Sequence, residues 1–520
     1  MRRGFYLSFS KGLDLAANAR MLALTRRLLQ RPLFGVTDLV PGYVNLYVEF
    51  EDTAVSQSRV RRWVSEHSLN LSSGDSGRLV EIPVRYDGED LLWVTEQTGL
   101  SPEEVIRRHS SRLYRVYAIG FTPGFPFMGE VDPALHLPRR LVPRKYVPAH
   151  SVAIANAQTG IYPLASPGGW HLLGTALRAI YDPHRPEPFL LAPADAVRFV
   201  PAWGSTPPEP QALELLPAEP RYPAFRVVEP GLLDLVVDEG RRMAGRFGLA
   251  QSGPLDPRSA RLANALVGNP ADAPLLELTL KGPVLEALRD TVVAFAGFAM
   301  HPELNGEPVA GYQSFGLRRG DVLSFRPTTR GVRGYLAIAG GLESGRFWDS
   351  ASTDLRGRIG RPLQAGDILG VKTLREVRTG FSYSPRLPAK PVCALRTPSW
   401  RLADEARVRL LPGPQANPEA LKALSAGTYR LESGDRMGLK LEGPSVPGGE
   451  LISEATPLGA IQVTPGGHPL ILLNDRGRIG GYAKPAQVDP RDLPILAQLR
   501  PGSPVRFVIA DEFHEQGIVK

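Results

Sequence analysis

Ile119-Gly120-Phe121-Thr122-Pro123-Gly124-Phe125-Pro126-Phe127-Met128-Gly129 follows a run, Tyr114 to Ile119, that reads as a β-strand. Proline fixes φ and removes a backbone donor, whereas glycine tolerates left-handed backbone. A stretch that mixes both with apolar residues therefore turns the chain sharply instead of extending the strand. The pattern recurs: Ser151 to Ala155 and Val197 to Val200 read as further short strands, and Gln158-Thr-Gly-Ile-Tyr-Pro163 and Ser166-Pro-Gly-Gly-Trp170 as further corners. Together they predict a compact barrel or sandwich. The 53 glycines and 50 prolines, scattered between short apolar runs over 520 residues, extend the mainly β reading to most of the chain.

Upstream the period changes. Gly4 to Phe9 reads as a strand, Asp14 to Leu29 as a helix, Val44 to Phe50 as a strand and Val55 to His67 as a helix, which makes a small α/β lobe over residues 1–85. Ser101, Pro102 and Glu104 form a capping box that starts a helix ending near His109, and Glu103 and Glu104 sit at its positive end as structural residues. The first strand-built unit spans 86–204. Seven prolines from Pro201 to Pro223 inclusive mark a linker at 205–224.

Beyond it, Leu278-Thr-Leu-Lys-Gly-Pro283 is echoed by Leu439-Lys-Leu-Glu-Gly-Pro444, and Gly320-Asp-Val-Leu-Ser-Phe325 by Gly502-Ser-Pro-Val-Arg-Phe507. The first unit ends similarly, in Pro193-Ala-Asp-Ala-Val-Arg-Phe199. Three related β units follow from this, the second and third at 225–390 and 391–520.

With 43% hydrophobic and 22% charged residues the chain has material for large cores. A single cysteine, Cys393, permits no internal disulfide and no CxxC pair, which fits a reducing, cytoplasmic setting. The apolar residues of 1–30 are interrupted by Asn18, Arg20, Arg26 and Arg27, as in an amphipathic helix rather than a signal peptide or membrane span. The net charge of +8 comes from dispersed basic residues, a solvated surface and not a nucleic-acid footprint. None of the nine histidines forms HxH, HxxH or HExxH, so no metal site is expected, and there is no phosphate-binding GxxxxGK loop ending in serine or threonine.

The corner sequences, together with Pro138-Arg-Arg-Leu-Val-Pro-Arg144, resemble the allophanate hydrolase subunit 1 family, which includes KipI and the B-type subunit of 5-oxoprolinase, from the amino terminus to about Val200. The second half resembles the subunit 2 family, that of KipA and the C-type subunit of 5-oxoprolinase, from about Val227 to Phe507. The matching residues are Ser252-Gly-Pro-Leu-Asp256, Ala263-Asn-Ala-Leu-Val-Gly-Asn-Pro270, Tyr335-Leu-Ala-Ile-Ala-Gly-Gly341, Ser352-Thr-Asp354, Asp435-Arg-Met-Gly438, Leu441-Glu-Gly-Pro444, Ala460-Ile-Gln-Val463, Asp475-Arg476 and Gly480-Gly-Tyr482.

Two departures stand out. Val237-Asp-Glu-Gly-Arg241 replaces the family's Val-Gln-Asp-Leu-Gly-Arg, and Gly477-Arg478-Ile479 replaces a glutamine and two threonines, losing polar groups and gaining a cation. The resemblance implies cyclophilin-like β-barrels, one in the first half and two related ones in the second.

It also implies a component of ATP-dependent 5-oxoprolinase, working with a LamB/YcsF-type subunit that supplies most of the site for ATP and any accompanying Mg. Opening an unreactive lactam needs a base, cations and donors for developing negative charge. Asp475, Asp435 and Asp256 are the candidate bases, and Arg476, Arg436 and Arg144 the cations. Gly120, Phe121, Pro123, Gly124, Phe125, Gln158, Tyr162, Pro167, Gly168, Gly169, Trp170, Gln462, Gly480, Gly481 and Tyr482 are the candidate substrate contacts. The same glycines also suit close packing at barrel corners, the aromatics a core, and each Asp-Arg neighbour pair a turn ion pair.

Two rival activities remain open. One is the carboxyltransferase step of a urea carboxylase, for which the chain has no Ala-Met-Lys-Met biotin attachment site of its own. The other is KipI/KipA-like binding of a histidine kinase, although fusing an inhibitor to its antagonist makes a poor switch. Expected partners are the LamB/YcsF-type subunit, a small-molecule substrate and further copies of the chain, with no nucleic acid and no membrane.

Overall fold

The computed structural model describes residues 2–69, 77–374, 393–394 and 403–510. At the amino end, Asn45–Glu51 pairs antiparallel with both Arg2–Ser8 and Val36–Pro41. Helices Leu15–Gln30 and Gln57–His67 pack beside this sheet, burying Met21, Leu28, Val60 and Trp63. Asp14 caps the first helix by accepting from the backbone of Ala16 and Ala17. Val36–Pro41 is buried along its whole length. It therefore shows no alternation of apolar and polar residues, and sequence periodicity passes over it.

Seven strands then close into a barrel: Leu79–Arg85, Leu113–Ile119, Pro126–Gly129, Ser151–Ala155, Gln158–Ile161, His171–Ala176 and Ala196–Pro201. Ile82, Val116, Met128, Ile154 and Val197 fill it. Leu79–Arg85 pairs parallel with Ala196–Pro201, so the lobe boundary expected at 85 lies before residue 79. The strand's alternating burial, with Val80, Ile82 and Val84 inward, is that of a barrel wall.

The expected linker is a strap laid on the second half and not a free spacer. Leu213 exchanges backbone hydrogen bonds with Arg358 and Gly360, Leu215 is buried, and Glu209 binds Arg358 at 2.9 Å. Pro223–Glu229 already belongs to the next sheet. That middle unit is two six-stranded sheets sharing one core of Phe225, Leu285, Phe295, Leu323 and Leu336. Helix Pro257–Leu266 covers an outer face through Ala260, Ala263 and Leu266. Cys393–Ala394 pairs with Gln313–Leu317 and so belongs to this unit, while the boundary expected at 390/391 lies outside the described residues.

The last unit is again closed. Ala406–Pro412 pairs parallel with Pro504–Ile509 on one side and antiparallel with Ile479–Val488 on the other, which completes a seven-stranded ring. The chain is thus mainly β, with a closed barrel in each half. Among the described residues no helix is long and apolar enough to cross a membrane.

Candidate functional site

The two closed barrels face each other across a cleft of about 980 Å³. Its first wall is built by the corner between strands Leu113–Ile119 and Pro126–Gly129, whose ends pair as Ile119 with Pro126. Gly120 N–H donates to Phe125 O at 3.0 Å and Phe125 N–H to Thr122 O at 3.1 Å, with Phe121 and Gly124 at positive φ. This tight loop presents Phe121 to the cleft. Phe125 meets Phe121, Tyr162 and Trp170 edge-on, with ring centroids 5.6, 5.1 and 5.5 Å apart. Gly168 is glycine for a reason of space: a Cβ there would lie 2.3 Å from the Tyr162 hydroxyl. Pro167, Gly168, Gly169 and Trp170 complete this apolar side.

The facing wall comes from the C-terminal barrel and is polar. Asp435 sits in the hairpin between Thr428–Gly434 and Gly438–Glu442, where its Oδ1 accepts from the N–H groups of Met437 and Gly438 at 2.7 and 3.1 Å. Gln462, Ser453, Thr456, Gly480, Gly481 and Tyr482 lie alongside. Gln462 is buried and its amide nitrogen has no acceptor. Gly480 leaves room for that amide, which lies 2.7 Å from where a Cβ would stand.

The middle unit adds Arg356, whose guanidinium lies 6.0 Å from the Phe121 ring centre. Burial lowers its pKa, against the pull of the Asp354, Asp435 and Asp475 carboxylates. Among the described residues neither Arg356 nor Arg139, on the first wall, has a hydrogen bond or ion pair. Arg139, Arg140, Arg356, Lys440 and Arg476 line the cleft with Asp435 and Glu450; Arg140, Lys440 and Arg476 are paired with Asp90, Glu432 and Glu49, which leaves Arg139 and Arg356 as the cations available to an anion.

Several expected site residues lie elsewhere. Asp475 is buried in a forked ion pair with Arg436, at 2.7 and 3.2 Å, and Arg436 also binds Glu277 and the carbonyl of Gly253. Burial pushes the Asp475 carboxyl up, while Arg436 pulls it back. The arginine of one Asp-Arg motif thus binds the aspartate of the other, and through Glu277 and Gly253 the Asp475–Arg436 pair clamps the C-terminal barrel to the middle unit. Asp256 caps helix Pro257–Leu266, accepting from Ser259 N and Oγ and from Gln498. Arg144 is taken up by Asp90 at 2.7 Å and Glu89 at 3.3 Å. Gln158 belongs to a strand ladder, and Pro123 and Gly124 form the buried back of the corner, where Gly124 N–H reaches Phe247 O. Gly120 is the contact between barrels, since a Cβ there would meet Ile479 at 2.2 Å.

Arg476 does touch the cleft, but its Nε and Nη1 donate to Thr456 O and Leu473 O and its Nη2 lies 3.9 Å from Glu49. Burial, reinforced by Arg478, brings it down to about 9. Arg478, the cation gained by departure from the family pattern, points away from the cleft to Asp38 at 2.7 Å. Sequence reasoning passed over Arg139, Arg140, Arg356, Lys440, Glu450 and Thr456. Arg139 and Arg140 lay inside the quoted Pro138–Arg144 motif, and two adjacent arginines with no acidic neighbour in that motif were the available signal.

Residues 2–191 match the family described as "Carboxyltransferase domain, subdomain C and D", and residues 247–509 that described as "Carboxyltransferase domain, subdomain A and B". The chain belongs to the carboxyltransferase-domain family. Within that family its first half is 43% identical over 203 residues to the B-type subunit of 5-oxoprolinase from Escherichia coli O157:H7, covering 38% of this chain and 90% of that one. The second half is 32% identical over 285 residues to the C-type subunit of 5-oxoprolinase from Haemophilus influenzae, covering 52% and 86%.

The second half is also 32% identical over 311 residues to urea amidolyase of Lachancea kluyveri, covering 55% of this chain and 17% of that one. The crystal structure of TTHA0988 superposes along nearly the whole length, with a TM-score of 0.92 and 57% identity over 98% of this chain and 100% of that one. One polypeptide here joins the two carboxyltransferase-domain regions that the B-type and C-type subunits carry on separate chains.

Proposed function

We propose that this chain is the fused B-type and C-type component of an ATP-dependent 5-oxoprolinase, acting with a LamB/YcsF-type subunit to open 5-oxoproline to glutamate. The observation that carries this reading is the shared cleft, whose apolar wall comes from the half that matches the B-type subunit and whose polar wall comes from the half that matches the C-type subunit. A flat five-membered lactam fits the aromatic side, where Phe121, Phe125, Tyr162 and Trp170 exclude water from the ring. The unpartnered Gln462 amide supplies a donor for the lactam oxygen. Asp435, the carboxylate held in place by two backbone N–H groups, takes a proton from the attacking water.

ATP supplies phosphorylation of the lactam oxygen, which makes the ring carbon electrophilic, so that water addition with C–N cleavage leaves an acyl phosphate. Of Arg139 and Arg356, the two cleft guanidinium groups without an ion pair among the described residues, one suits the transferred phosphoryl group and the other the ring carboxylate, and the remaining nucleotide contacts fall to the partner subunit. Two waters are consumed, one adding to the carbonyl carbon as the C–N bond breaks and one releasing phosphate. The test is to mix the purified chain, a LamB/YcsF-type protein, ATP and 5-oxoproline, and to follow glutamate. Glutamate formation that needs both proteins and ATP supports the reading, and its absence with both folded proteins present rejects it.

A second reading is favoured by the carboxyltransferase family itself and by the similarity to urea amidolyase. The cleft would then accept a carboxyl group for transfer to a small amide, from biotin carried on another chain. Carboxylation of urea in the presence of a carboxylated biotin carrier, with no glutamate from the first assay, would select it.

A further inference from the structure

Arg356 and Arg139 bracket the aromatic row of the cleft. The Arg356 guanidinium stands 6.0 Å from the Phe121 ring, Phe121 meets Tyr162 edge-on at 6.5 Å, and Tyr162 lies within the field of Arg139. Arg356 comes from the middle unit and Arg139 from the first barrel. A guanidinium that is partly buried without an acceptor leaves hydrogen-bonding capacity unmet, and most natural structures satisfy such groups with a partner or a ligand. Here two line the same cleft as a row of edge-on aromatic rings, Arg356 beside Phe121 and Arg139 near Tyr162. The buried Gln462 amide, also without an acceptor, faces the same cleft from the opposite wall.

Other places in the molecule carry less. The smaller cavity of about 290 Å³ near Arg258 and Arg261 has its arginines already engaged, Arg261 with Glu239 and Arg258 with the Arg491 carbonyl. In the buried cluster of Arg476, Arg478, Asp38 and Glu49 each cation already has a carboxylate beside it, Glu49 for Arg476 and Asp38 for Arg478.

We propose that Arg139 and Arg356 form a two-ended anion clamp, so that the cleft selects a flat small molecule bearing a negative group at each end over one bearing a single charge. On the 5-oxoprolinase reading, on which the identity of the ligand rests, that molecule is the lactam after phosphorylation. It is a nearly flat five-membered ring with its carboxylate on the carbon at one side of the nitrogen and the phosphoryl group on the former carbonyl oxygen at the other. The clamp then holds the activated species more tightly than 5-oxoproline itself, which is where binding energy accelerates a reaction. Both arginines are specificity residues here, and neither moves a proton.

The test needs neither the partner subunit nor turnover. The full chain is titrated calorimetrically with 6-phosphonopyridine-2-carboxylate, a flat ring with a phosphonate and a carboxylate flanking the ring nitrogen, and separately with picolinate, which lacks the phosphonate. The expected result is at least about 100-fold tighter binding of the dianion, weakening steeply with added salt. Arg139→Met and Arg356→Met should each lose about tenfold or more on the dianion, and Arg139→Lys and Arg356→Lys should recover part of it.

Thermal melts unchanged from wild type show that each methionine variant is folded. Dianion and picolinate binding alike to wild type, or folded methionine variants binding the dianion as wild type does, would overturn the clamp. The 5-oxoprolinase reading fails separately: a chain that binds the dianion through both arginines yet makes no glutamate with its partner keeps the clamp and loses the lactam.

Discussion

The two closed barrels share one ring plan and put it to different uses. In each, the first strand pairs parallel with the last, Leu79–Arg85 with Ala196–Pro201 and Ala406–Pro412 with Pro504–Ile509. In each, the last strand also pairs antiparallel with the next strand in the chain after the first, Leu113–Ile119 beyond two helices or Thr428–Gly434 beyond the single helix Pro418–Ser425. The echo of Val-Arg-Phe falls on those closing strands, where Val197 and Phe199 in one and Val505 and Phe507 in the other point into the core. The difference lies at the rims. One barrel turns a Gly/Pro corner outward as an aromatic wall, and the other offers a hairpin and glycine-flanked strands carrying amide, hydroxyl and carboxylate groups. A single fold used twice, with unlike corners, yields one cleft with an apolar side and a polar side.

The comparison can be broken most severely where the C-terminal barrel is clamped to the middle unit. Arg436→Ala leaves the buried Asp475 carboxylate without its cation and Glu277 with only Arg333 at 3.8 Å, and a loss of about 4 kcal/mol in denaturant unfolding is expected. An unchanged midpoint would return Asp475 and Arg436 to the list of candidate catalytic groups.

Acid should separate the barrels next. His109 lies in the first barrel between Tyr86 and Thr159, and burial brings its pKa down to about 3. Below the ordinary value near 6.5 the unfolded chain takes up a proton that the folded barrel refuses, so stability falls as pH drops from about 6.5 towards 3. By pH 4.5 the loss reaches about 2.5 kcal/mol, and His109→Gln should flatten that part of the pH profile.

The contact between barrels is probed by Gly120→Ala, whose new methyl group meets Ile479 and should cost about 2 kcal/mol. Adding Ile479→Ala should return part of that loss, and strictly additive effects would show that the two residues do not share the contact. The smallest effect is expected from Asp256→Ala. Loss of the cap on Pro257–Leu266 should lower stability by about 1 kcal/mol and leave the dianion affinity of the cleft unchanged.

What the sequence made legible was what depends on backbone alone. The corners at Gly120–Phe125 and Ser166–Trp170 could be read because glycine and proline dictate local geometry wherever they stand, and those corners do supply the cleft's apolar wall. Val36–Pro41 escaped because burial on both faces erases the period of two. The acidic candidates divided for a different reason. Asp435, Asp475 and Asp256 look alike in a string of letters, but their chemistry is set by partners distant in the chain: Arg436 for Asp475, Ser259 and Gln498 for Asp256, and open cleft for Asp435. Arg356 was invisible because it sits in an irregular segment of the middle unit, and only the fold carries it to the rim between the barrels.

The strap from the first barrel to the middle unit has a consequence for how such a protein behaves in a test tube. Its segment around Leu213 and Leu215 is woven onto the second half, so opposing walls that two separate chains would bring together only by association are delivered as one piece. Mass action has no hold on that joint. Diluted to nanomolar concentration, the cleft should keep its shape, and any fall in activity on dilution would report loss of a different partner.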